Sequence, residues 1–279
     1  MNFDPFDLVD ASEVPPDIAE ALSWSQAERG PFGSPLFYAV ETGSTNDVAA
    51  RLADAGASTG TTVVVESQTA GRGRHHRQWC SPPGAGLYVS TIVRPSSAPT
   101  TASGTGASLV TLMAGVALAE AIDEATGLRV AIKWPNDLVV ARRKLAGILA
   151  EAAAVGHAFE YIVVGFGINL RPAVYPPDVA ARATSIEAEL GRRVDRGALL
   201  ARAMVNLFRG WTALSEGRTA EVTTRWRERA PSAVGSLVEW QAGARVRRGV
   251  TAGIDGDGAL LIEVDGTVER VIAGEIVWV

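Results

Sequence analysis

Apolar and polar positions along this chain fall into two periods, and each change of period marks an element. Ser44-Thr45-Asn46-Asp47 opens a helical run in which Val48, Leu52 and Ala55 recur every three to four residues, and Gly56 ends it. The serine followed three residues later by an acid resembles a capping box. Thr61 to Glu66 is β-branched and bounded by Gly60, so it reads as a buried strand; Leu87 to Arg94, after the Gly84-Ala85-Gly86 turn, reads as another. Ala98 to Gly106 is a Ser/Thr/Gly/Pro linker. Ala107 to Thr126 is nearly all apolar, which predicts a buried helix closed by Gly127. Arg129 to Lys133, Leu138 to Ala141, Leu145 to Glu151 and Tyr161 to Asn169 predict four strands. The third of these is alanine-rich and helical by propensity, but its glycine pauses and short spacing favour a strand. Pro172, Pro176 and Pro177 mark an irregular loop, and Asp178 to Leu190, Arg196 to Ser215 and Ala220 to Arg229 predict amphipathic helices.

The pattern changes again at Pro231. Short strands follow at Ser236 to Trp240, Ala244 to Ile254, Ala259 to Val264 and Val268 to Ala273, with Asp255-Gly256-Asp257-Gly258 and Asp265-Gly266 as turns. This is a small all-β module, residues 231–279. Helices and strands intermix before it, so residues 36–230 read as one α+β domain with a mixed sheet backed by helices. Residues 1–35 read as a leader with no domain of its own, part helical over Asp17 to Ala27. Its first 30 residues hold seven acids and one base, without the basic recognition helix of a DNA-binding domain.

Charge redirects attention to one stretch. The chain carries a formal net charge of −5, yet no Asp or Glu occurs from Ser67 to Ala119. Inside that interval lies Gly71-Arg72-Gly73-Arg74-His75-His76-Arg77-Gln78-Trp79. Guanidinium groups offer planar forks for carboxylate or phosphate oxygens, and glycines let backbone approach an anion. The overall acidity argues against a general nucleic-acid binder. A single cysteine, Cys80, excludes an internal disulfide framework and fits a reducing cytoplasm. The longest apolar run, Ala107 to Ala119, falls short of the roughly 20 residues of a membrane span. No Walker loop, complete dinucleotide fingerprint, nucleophile elbow or metal-ligand spacing is present; Gly165-Phe166-Gly167-Ile168-Asn169 begins like the second and lacks its third glycine.

Polar clusters remain at predicted strand ends. They are Gly43-Ser44-Thr45-Asn46, Gln68-Thr69-Ala70-Gly71-Arg72-Gly73-Arg74 with Arg77 and Trp79, Ser81-Pro82, and Gly86-Leu87-Tyr88-Val89-Ser90. Lys133-Trp134-Pro135-Asn136-Asp137, Arg143-Lys144-Leu145-Ala146-Gly147, Gly165 to Asn169 and Gly274-Glu275 complete the set. In this order they resemble the biotin protein ligase family, the biotin–[acetyl-CoA-carboxylase] ligases, from about Glu41 onward.

The resemblance implies the fold of class II aminoacyl-tRNA synthetases with a C-terminal SH3-like β-barrel. It implies activation of biotin by ATP to biotinyl-5′-AMP and pyrophosphate, with Mg²⁺, then transfer to a lysine of a biotin carboxyl carrier domain of acyl-CoA or pyruvate carboxylases. Arg72, Arg74 and Lys144 would hold carboxylate and phosphate, and Ser44, Thr45, Asn46 and Gln68 the ureido ring, with Gly73 and Gly147 beside biotin. Arg74, Arg77, Trp79, Asn136, Lys144 and Asn169 would meet the nucleotide. Asp137 would lie near Mg²⁺ and orient or deprotonate the incoming lysine. Plainer readings stand beside these: Ser44 as an N-cap, Trp79 and Trp134 as core, Asp137 as a turn former, Lys144 as part of a solvated basic run. His76 stands where the family usually has glycine. The arginine loop is expected to be mobile without ligand and to order over the adenylate. Neither DNA nor membrane is an expected partner. The rival readings are a lipoate–protein ligase and a biotin-binding regulator without catalysis.

Overall fold

A computed structural model describes residues 12–95, 105–155, 158–243 and 245–279. Its central sheet has seven strands: β1 (Leu36–Thr42), β2 (Thr62–Gln68), β3 (Gly86–Val93), β4 (Ala131–Lys133), β5 (Asp137–Val140), β6 (Arg143–Val155) and β7 (Ala158–Asn169). Their order across the sheet is β1-β2-β3-β7-β6-β5-β4. β1 and β2 are parallel and the remaining pairs antiparallel, so the sheet is mixed as expected. The alanine-rich segment is strand β6, paired along its length with β7. Cross-strand pairing in the sheet's middle outweighs alanine's helical preference.

The strands are apolar on both faces because helices cover both. On one face α3 (Thr45–Asp54) lays Val48, Ala49 and Leu52 against Val63, Val65, Ile92 and Val163. On the other, α4 (Thr105–Thr126) and α7 (Arg196–Ser215) pack over Val64, Val89, Ile148 and Val164. α4 is long and apolar enough by length and composition to cross a membrane, but its residues from Leu112 to Leu118 are buried in this core. The proposed linker at 98–106 lies outside the described residues, apart from its last two, which begin α4.

The described part of the leader forms α1 (Pro16–Trp24) and α2 (Gln26–Arg29). Ile18 and Leu22 join the same core as α7, so packing draws no line between these residues and those after 36. The helix expected over 178–190 is two short ones, α5 (Pro177–Ala180) and α6 (Ile186–Leu190). Between them the chain pairs with β6: the Lys144 N–H donates to Arg182 O at 2.7 Å and the Thr184 N–H to Lys144 O at 2.9 Å. Ser185 then caps α6, accepting from the Ala188 N–H.

α8 (Thr219–Arg229) leads into an all-antiparallel SH3-like module of β8 (Val234–Ala242), β9 (Arg245–Ile254), β10 (Leu260–Val264), β11 (Thr267–Val271) and β12 (Ile276–Trp278). The last strand was not expected from the sequence; it pairs with β8. The module shares the main core through Val238, Trp240, Leu260 and Ile262. The Trp134 indole N–H also donates to Gly258 O at 3.0 Å.

Candidate active site

The C-terminal ends of β1 and β2 lie side by side, with Thr42 opposite Gln68. α3 starts just beyond β1, so its free N-terminal N–H groups face the end of β2. Gln68 caps them: its Oε1 accepts from the Thr45 N–H at 2.9 Å and from the Thr45 hydroxyl at 3.2 Å. The expected capping box is absent, since the Ser44 side chain makes no capping bond. Parallel pairing delivers a better acceptor from outside the helix, and Ser44, buried, lines a cavity instead. Gln68 Nε2 donates to Ser81 Oγ at 2.9 Å, which fixes the orientation of its amide.

Asn46 lies deeper. Its Oδ1 accepts from the Ser90 hydroxyl at 2.6 Å; its Nδ2 donates to Glu151 Oε2 at 2.6 Å and to Leu149 O at 3.3 Å. It rests on Gly165 of β7, where a Cβ would stand 1.9 Å from Asn46 Oδ1. Two residues on, a Cβ at Gly167 would stand 2.5 Å from the Trp79 indole. Gly147 pairs with Gly167 across β6 and β7 and also faces Trp79. The glycine pattern that began like a dinucleotide fingerprint is thus a bare strip of sheet on which Asn46 and Trp79 lie.

Residues 71–79 form a narrow hairpin above this strip. Arg72 bridges Gln78, the Gly73 N–H donates to Arg77 O at 2.7 Å, and the Trp79 N–H to Gly71 O at 2.8 Å. The turn is reversed at His75, whose φ is 55° and ψ 41°. His76, which stands where glycine was expected, closes the short helical turn Arg74–His76.

The loop's cations face partners from distant parts of the chain. Arg72 Nη2 lies 2.6 Å from Glu151 Oε2 and 2.8 Å from Asp47 Oδ1. Arg77 makes a two-bond fork with Glu275, at 2.7 and 2.5 Å, and this holds the Glu275 carboxyl below its ordinary pKa. Arg74 donates to Gly274 O at 3.3 Å. Burial pulls the Arg74 guanidinium below its ordinary pKa, against the pull of Asp137 and Glu275. Burial likewise lowers Lys133. Its ammonium lies 4.7 Å from the centre of the Trp278 ring, with Arg142 on the same ring at 5.3 Å.

The turn from β4 to β5 brings Asn136 and Asp137 to the opposite wall. Asn136 is stitched to β6, its Nδ2 donating to Ile148 O at 2.7 Å and its carbonyl accepting from the Ile148 N–H at 2.9 Å. Asp137 Oδ1 is buried and accepts no aligned hydrogen bond, but sits 2.6 Å from Lys144 Nζ as an ion pair. Lys144 Nζ also lies 5.3 Å from the centre of the Trp79 ring. Asn169, buried at the end of β7, donates to Thr184 O at 2.9 Å.

These walls enclose one cavity of about 320 Å³. Ser44, Thr45, Asn46, Gln68, Arg72, Gly73, Arg74, Arg77, Trp79, Asn136, Asp137, Lys144, Gly147 and Asn169 all line it. The arrangement joins a neutral polar end, around Thr45 and Gln68, to a cationic end around Arg74, Lys133 and Lys144. Trp79, Ile148 and Phe166 add apolar lining. Such a cavity suits an acid with a neutral polar head and a chain long enough to bring its carboxylate to the cations.

Residues 38–169 match the biotin/lipoate A/B protein ligase family. The biotin–[acetyl-CoA-carboxylase] ligase of Paracoccus denitrificans is 34% identical over 244 residues, which cover 85% of this chain and 98% of that protein. The chain belongs to the biotin protein ligase family. A second member, the bifunctional ligase/repressor BirA of Bacillus subtilis, is 30% identical over 250 residues, 88% of this chain and 74% of that one. Among solved structures, the biotin protein ligase of Aquifex aeolicus in complex with biotin and ATP superposes with a TM-score of 0.75 at 26% identity. It covers 88% of this chain and 98% of its own. Its fold is the mixed sheet with helices and small β module found here.

Sequence reasoning passed over several residues of the site. Ser90 and Glu151 are strand residues whose partners lie 44 and 105 positions away. Gly165 and Gly167 were noticed as a failed fingerprint and as part of the cluster from Gly165 to Asn169, without a role of their own. Val179 and Arg182 reach the cavity because the expected long helix breaks to pair with Lys144.

Proposed function

We propose that the protein is a biotin–protein ligase that adenylates biotin with ATP and passes the biotinyl group to a lysine of a biotin carboxyl carrier domain. The observation carrying this reading is the one cavity lined both by the fixed polar pair Thr45 and Gln68 and by the cations Arg74, Lys133 and Lys144, with Trp79 in the same lining. In the first step the biotin carboxylate attacks the α-phosphate of ATP; the bond to pyrophosphate breaks and a mixed anhydride remains. Two anions must meet, so the residues contribute chiefly position and charge neutralisation. Thr45 and Gln68 orient the ureido ring, with Ser44 beside them. Arg72, Arg74 and Lys144 draw carboxylate and α-phosphate together, while Arg77 and Lys133 take the departing phosphates. Closure of the 71–79 hairpin over the adenylate excludes water from the anhydride.

Among the described residues no group of three or more His, Cys, Asp or Glu side chains could hold a metal. The buried Asp137 carboxylate, ion-paired with Lys144 in the unliganded chain, would hold a magnesium ion brought by the nucleotide. The chemistry supplied there would be positive charge beside the phosphates. In the second step the carrier lysine, as free amine, attacks the anhydride carbonyl and AMP leaves; Asp137 accepts its proton. Cys80 as a free thiol favours a cytoplasmic setting.

The test is pyrophosphate release from ATP with biotin, with lipoate, and with neither. Release with biotin only, reduced about 10²–10³-fold in Lys144→Ala, is expected. Release with lipoate only would replace the substrate. No release with either acid would overturn the ligase reading.

A further inference from the structure

Glu151 stands where three separate parts of the site converge, and the ligase reading gives it no task. One oxygen, Oε2, accepts from Asn46 Nδ2 at 2.6 Å and from Arg72 Nη2 at 2.6 Å. Asn46 has no freedom to turn away. Its Oδ1 is held by the fully buried Ser90, and its amide lies in the space that Gly165 leaves open. The Asn46 side chain is therefore consumed by the protein: its oxygen accepts from Ser90, and both its hydrogens have acceptors in Glu151 and Leu149. A rigid series runs from Ser90 in the sheet through Asn46 and Glu151 to the first arginine of the hairpin.

We propose that Glu151 is a positioning residue that fixes Arg72, and with it the root of the 71–79 hairpin, against the sheet at the wall of the cavity. Asn46 acts as its support rather than as a direct contact to the ureido ring. This rests on the ligase reading for its consequence, though the anchoring is a property of the unliganded chain. Arg72 keeps its charge for an incoming carboxylate because a guanidinium has five N–H donors in a planar fork; the group facing Glu151 and Asp47 leaves others to point inward. Without Glu151 the arginine keeps only the exposed Asp47, 2.8 Å away, and is no longer tied through Asn46 to the sheet, so each binding event must order it anew.

Two readouts separate the anchor from its use. Trypsin cleaves after arginine, so cleavage of the unliganded protein within residues 72–77 reports how often the hairpin leaves the sheet. Glu151→Gln is expected to be cut about tenfold faster than wild type, at an unchanged melting temperature. Equal rates overturn the proposal. In pyrophosphate release, Glu151→Gln is expected to raise KM for biotin about tenfold with kcat within about twofold. The variant Arg72→Ala should then lose nothing further when Glu151→Gln is added, and additive losses also overturn it. Should Glu151→Gln not fold, Glu151→Asp keeps the charge but withdraws the oxygen by one methylene, and carries the same expectations. A wild type that neither binds biotin nor releases pyrophosphate would sink the ligase reading, while the cleavage rates would still decide the anchor.

Discussion

Gly165 and Asn46 occupy one another's space: a methyl group on the glycine would stand 1.9 Å from the amide oxygen. The amide cannot retreat, because Ser90, Leu149 and Glu151 hold it on three sides. Gly165→Ala is therefore expected to destabilise the protein by about 1–3 kcal/mol, read by denaturant unfolding, as a close-packed site is overfilled. Gly167→Ala meets the Trp79 indole instead, at a loop that can shift. It should cost less stability and more activity, with biotin-dependent pyrophosphate release falling at least about tenfold. Equal stability losses in the two variants would count against this division.

The hairpin's strain sits at His75. A φ of 55° is left-handed backbone that glycine adopts freely and other residues at a cost of about 1–2 kcal/mol, less for histidine. His75→Gly is expected to leave stability unchanged or raise it by up to about 1 kcal/mol. His76→Gly gains nothing from backbone relief and adds freedom to the unfolded chain, so it should be slightly destabilising. Thermal unfolding of the two variants side by side decides.

Asp137 and Lys144 form an ion pair whose two members serve different steps in the proposed mechanism. Asp137→Asn leaves the lysine charge in place and removes the proton acceptor. Transfer from preformed biotinyl-adenylate to a carrier lysine should slow about 10²–10⁴-fold, with a smaller loss in pyrophosphate release. Single-turnover transfer measures it; an equal loss in both steps would assign Asp137 to adenylation.

All four tyrosines, Tyr38, Tyr88, Tyr161 and Tyr175, have phenol pKa values above the ordinary 10.0, chiefly through burial, and Tyr161 is pushed up to about 12. Tyr161 also donates to Asp54 at 2.7 Å and Tyr38 to Glu66 at 2.6 Å, bonds that a phenolate cannot make. A raised acid favours the folded state below the unfolded pKa, and that advantage is lost as pH climbs through the folded one. Stability should thus decline from about pH 10 upward. At pH 10 an unfolded chain has half its phenols ionised, whereas ultraviolet titration of the native protein should show few phenolates.

What could be read in advance was local. The β-branched runs of β2 and β7 and the apolar length of α4 announce themselves, because period and burial leave marks on neighbouring residues. The arginine loop did so through sign of charge. The residues of the polar and cationic clusters gather around one cavity because strand ends adjacent in the sheet carry them, although their order along the sheet is not their order along the chain. Glu151 gave no signal and Ser90 showed only as the end of the Gly86–Ser90 cluster, since their partners are set by tertiary approach. β12 has three residues, too few to display a period. The break between α5 and α6 depends on hydrogen bonds to Lys144 some forty residues earlier, and a helical pattern alone cannot reveal a competitor at that distance.

The fork between Arg77 and Glu275 joins positions 198 residues apart. A ribosome makes the chain from one end, so the arginine hairpin is finished long before its carboxylate partner exists. Until Glu275, just before β12, has been made and docked, one wall of the cavity is absent and Arg77 faces solvent. Bringing such remote ends together is slow relative to local folding. An incomplete chain therefore holds the floor, the polar end and the arginines of the site without its final wall. Growing chains would hold the reactive anhydride poorly, and a competent enzyme arises only once Glu275 has been made and has met Arg77.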